Sequence, residues 1–153
     1  MKTTWIVSAN ASRARIFREH IPSQSLEEVE DMVNEAARLR TDESQTDGLD
    51  PLAAGKSQHG TGGATPTKQY QPRETPTQHA NHLFAKELSH YLVEAHAQGK
   101  FDDLELVASP EFLGVLRNNL DDELKPLIKQ EINKDYTYAN ANEFAEQLKA
   151  WKH

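Results

Sequence analysis

Two stretches combine residue types and spacing from which chemistry can be built. The first is His59-Gly60-Thr61-Gly62-Gly63-Ala64, whose glycines reach backbone angles closed to other residues and let main-chain N–H groups approach a ligand. The second is Ala108-Ser109-Pro110-Glu111-Phe112-Leu113-Gly114-Val115-Leu116-Arg117. Ser109 and Pro110 read as the cap and first residue of a helix that follows a buried strand. The unpaired N–H groups of such a helix start suit an anion, with Arg13 or Arg117 as helpers. A packing role, in which Gly114 lets the helix sit close on a sheet, stays open beside it.

Other chemical patterns fall short. Asp50-Pro51-Leu52-Ala53-Ala54-Gly55-Lys56-Ser57 imitates the end of a phosphate-binding loop, but Asp50 stands where the first Gly belongs and more glycines follow where a helix must begin. His79, His82 and His90 share a helical spacing without a carboxylate or Cys that completes a metal-ligand pattern. A two-metal nuclease needs carboxylates converging at strand ends. The first strand ends instead on Asn10, and Glu105 and Asp135 read as surface acids. With no cysteine in the chain, thiolate nucleophiles, disulfides and Cys-based zinc sites are excluded. No cofactor is expected.

These segments must be positioned by a small scaffold. The 153 residues suit one domain over 1–153. The short apolar run at the N-terminus soon meets Arg13, Arg15 and Arg18, which reads as neither signal peptide nor membrane span, so a cytoplasmic location and no membrane partner are expected. A net charge of −7 argues against a general nucleic-acid coat. Residues 1–21 nevertheless hold Lys2, Arg13, Arg15 and Arg18 against Glu19, a local +3 that predicts a basic edge on an acidic body.

Strands are predicted at 3–9, 14–21 and around 26–33, then 104–108 and 128–134. Helices are predicted from Thr77, as a candidate cap, to a stop at Gly99, from Ser109 through Leu120, and after the Asn140/Glu143 capping pair. The order βββαβαβα gives a mixed five-stranded α/β sheet, a meander followed by βαβα, with helices packed on it. Between the third strand and the first long helix lies a Gly/Pro/Thr-rich loop over 38–78. It far exceeds the ~12–15 residues beyond which structureless loops become uncommon.

The segments together resemble the bacterial host attachment protein family. The resemblance rests on Trp5-Ile6-Val7-Ser8-Ala9-Asn10 with Ser12-Arg13-Ala14-Arg15-Ile16-Phe17, on Phe84-Ala85-Lys86-Glu87-Leu88, on Phe101-Asp102-Asp103-Leu104 leading into the Ser109–Arg117 block, and on Lys134-Asp135. The family pattern has Asp where this chain has Asn10. That family is similar to the middle domain of archaeal and eukaryotic peptide-chain release factors, a ribonuclease H-like sheet with helices. Their Gly-Gly-Gln loop reaches the ester of peptidyl-tRNA. The segment His59 to Ala64 is similar to that loop, with Ala64 in place of the catalytic Gln.

The resemblance implies a non-catalytic cytoplasmic factor that binds a ribosome, tRNA or other RNA through Arg13, Arg15, His59, Gly60, Gly62, Gly63, Ala64, Ser109 and Arg117. Two alternatives stand beside it. One is a hydrolase acting on an ester or phosphodiester; the other is a protein-interaction module, with a protein partner, in a pathway affecting host-cell attachment.

Overall fold

Along the first strand, Trp5, Val7 and Ala9 point to one side and Ile6 and Ser8 to the other, and all five are buried. A strand buried on both faces must be central. In the computed structural model, which describes residues 2–37 and 74–152, it is. The five-stranded sheet has the order β3-β2-β1-β4-β5, built from β1 (Thr4–Ala9), β2 (Arg13–Glu19), β3 (Leu26–Val33), β4 (Asp103–Ala108) and β5 (Ile128–Ile132). The meander β1-β2-β3 is antiparallel. β4 runs parallel to β1 and β5 parallel to β4, so each needs a crossover, which the helices provide.

Three helices in the described residues make the outer layers: α1 (Pro76–Ala97), α2 (Pro110–Asn119) and α3 (Ala141–Lys152). Phe84, Leu88 and Leu92 of α1 and Phe112 and Leu116 of α2 pack with Trp5, Val7 and Leu106 on one face of the sheet. On the other face, Phe144 and Leu148 of α3 meet Ile6, Phe17, Val107 and Ile132. The sheet is thus the middle layer, and its apolar residues on both faces are what hold the layers together.

Each helix start is capped. Thr75 and Gln78 form a reciprocal capping box, Gln78 N–H to Thr75 Oγ1 at 3.0 Å and Thr75 N–H to Gln78 Oε1 at 2.9 Å. The cap is therefore Thr75 rather than the expected Thr77. Residues 76–78, expected at the end of the loop, are the first turn of α1; residues 38–73 lie outside the described residues. The Ser109 hydroxyl accepts the Phe112 N–H at 3.4 Å with Pro110 in the first turn of α2. Asn140 and Glu143 exchange bonds of 2.8 and 3.0 Å before α3, as predicted. α1 stops where Gly99 takes a φ of +73°.

The third strand lies where it is predicted, at Leu26–Val33, and carries a β-bulge: Ile16 pairs with Glu30 and Phe17 with Glu28, leaving Val29 unopposed and reversing the parity of β3. One expectation is corrected. Gly114 is not a close-approach position, since a Cβ there would meet nothing within 4 Å. It sits inside α2 with the conformational cost of glycine and no packing return. Gly114→Ala is expected to stabilise the protein by about 0.5–1 kcal/mol, read as a higher urea midpoint at unchanged slope.

Candidate functional site at the carboxyl ends of the strands

β1, β4 and β5 are parallel, so their carboxyl ends share one edge of the sheet, the edge outside which open α/β sheets hold ligands. The chain leaves β1 at Asn10, β4 at Ser109 and β5 at residues 133–137. The Ser109 N–H donates to the Ala9 carbonyl at 3.1 Å, locking the first two exits side by side.

Asn10 is the centre of this edge. Its Oδ1 accepts the N–H groups of Ser12 (2.8 Å) and Arg13 (2.9 Å), forming the turn into β2. Its Nδ2 donates to Asp135 Oδ2 at 2.8 Å and to Thr137 Oγ1 at 3.1 Å. Asp135 Oδ1 accepts from the Thr137 N–H and hydroxyl at 2.9 and 2.7 Å. Partial burial pushes the Asp135 carboxyl up, but the bonds from Asn10 and Thr137 outweigh it and hold the group below its ordinary value. A carboxylate held ionised by three donors is not poised to take a proton.

Arg15 straps the same loop from the other side. Its side chain, 11% exposed, grips Glu28 with Nε at 3.0 Å and Nη2 at 2.9 Å. Its Nη1 donates to the carbonyls of Thr137 and Ala139, and the guanidinium lies 5.1 Å over the Phe17 ring. The Arg15 hydrogen bond is the main reason the Glu28 carboxyl sits below its ordinary value, against the opposing pull of burial.

The predicted basic edge is neutralised by the strand beside it. Arg13 pairs with Asp31 at 2.5 Å, Arg15 with Glu28, and Arg18 with Glu27 at 2.6 Å, all across the β2–β3 ladder. The +3 of the first segment is thus spent on the acids of the third strand. Of the residues expected to bind RNA or a ribosome, the structure brings Arg13, Arg15 and Ser109 to this edge. Arg117 lies on α2, with Nε 3.0 Å from Glu131 Oε1. His59, Gly60, Gly62, Gly63 and Ala64 lie outside the described residues.

Glu105, expected at the surface, is buried in β4 at 8% exposure. Asp135 is exposed as predicted, but engaged. At the start of α1, Glu74 bridges His79 Nδ1 and His82 Nε2, each at 3.1 Å, the carboxylate contact that their spacing alone did not reveal. Among the described residues no group of three or more His, Asp or Glu side chains is arranged to hold a metal ion, and no helix is long and apolar enough to cross a membrane. Thr137 is not among the predicted site residues. Its signal is the Asp135-Tyr136-Thr137 spacing, in which an Asp side chain caps the N–H two residues on.

The described part of the edge therefore fastens one loop to another and offers no nucleophile–base pair. A model for the family described as "Protein required for attachment to host cells" matches residues 5–148. No curated protein matches the chain.

Two outcomes follow from this geometry. Arg15→Ala strands Glu28 and two carbonyls and should cost about 3 kcal/mol, measured by urea denaturation. Asp135 and Glu28 are depressed carboxyls, so the stability they add is complete above the ordinary carboxyl range and drains away as pH falls from that range through their folded values. Asp135→Asn should lower stability at neutral pH and flatten the acid limb of a stability-against-pH curve.

Proposed function

The chain belongs to the family of proteins required for attachment to host cells, and from that premise we propose that it is a cytoplasmic, non-catalytic binding factor that engages the ribosome or tRNA in the manner of release-factor middle domains. The observation that carries the non-catalytic half is the saturated polar edge: Asn10, Asp135, Thr137 and Arg15 bond to one another and to the backbone. Ala64, in place of a catalytic Gln, agrees with it. The strand order β3-β2-β1-β4-β5, antiparallel on one side of β1 and parallel on the other, supports the ribonuclease H-like sheet that the release-factor resemblance implies.

Binding of this kind rests on shape more than on charge. Three free arginines on phosphates would give a salt slope of about −2.7, at ~0.9 per phosphate. Here each of the three already has a carboxylate, so the slope is shallower still. The same pairing, on a chain of net charge −7, favours a second reading, a protein partner within a pathway affecting attachment. A hydrolase has the least support, because the described edge lacks a free base.

Co-sedimentation with purified ribosomes at low and moderate salt separates these readings. The factor should pellet with ribosomes at both, with little loss between them, and should release nothing from peptidyl-tRNA. Absence from the pellet at both salts, with capture of a non-ribosomal protein, would transfer the case to the second reading.

A further inference from the structure

We draw no further inference here: the strongest candidate, the side-chain cluster of Glu74, His79 and His82 at the start of α1, carries nothing, because both of its ion pairs lie exposed at the surface and no group of side chains among the described residues is arranged to hold a metal ion.

Discussion

The carboxamide of Asn10 sits where the central strand ends, and it both shapes the β1–β2 turn and reaches across to the segment after β5. An amide can do this because it presents an acceptor and a donor from one planar group. A carboxylate in its place would keep the turn but face Asp135 with like charge. Arg15 completes the tie by anchoring the carbonyls of Thr137 and Ala139, just before Asn140 caps α3. The placement of α3 over Ile6 and Phe17 thus depends on a polar knot at the sheet edge as well as on apolar burial. Such a knot is worth more than its separate bonds only while every member is satisfied.

The same knot sets the electrostatic character of the protein. Arginines that seem free in the linear chain are divided among Asp31, Glu28, Glu27 and Glu131 once β2 meets β3 and α2 meets β5. What remains at the edge is a compact, nearly neutral surface on an acidic body, a poor electrostatic trap for phosphate. Recognition by such a surface depends on complementary shape and on hydrogen bonding.

Local features were legible in the sequence wherever one residue type does one job. The Asn140/Glu143 pair, the Ser109-Pro110 helix start and Gly99 at the end of α1 announce boundaries by chemistry that acts within a turn or two. The apolar run of β4 marks a strand buried on both faces. What was not legible is whatever depends on strand partners far apart in the chain. Arg15 meets Glu28 only because of the ladder, and the bulge at Val29 shifts the acids relative to the arginines. Asn10 and Asp135 lie 125 positions apart. Glu105 looked like a surface acid because its burial is a property of the completed sheet.

The carboxyl-end edge is a structural tie, and a double-mutant cycle between Asn10→Ala and Asp135→Ala, read as unfolding free energy, tests this most directly. A coupling of about 1 kcal/mol or more at neutral pH is predicted, shrinking as acid protonates Asp135. Single changes whose costs add to within about 0.3–0.5 kcal/mol would contradict it.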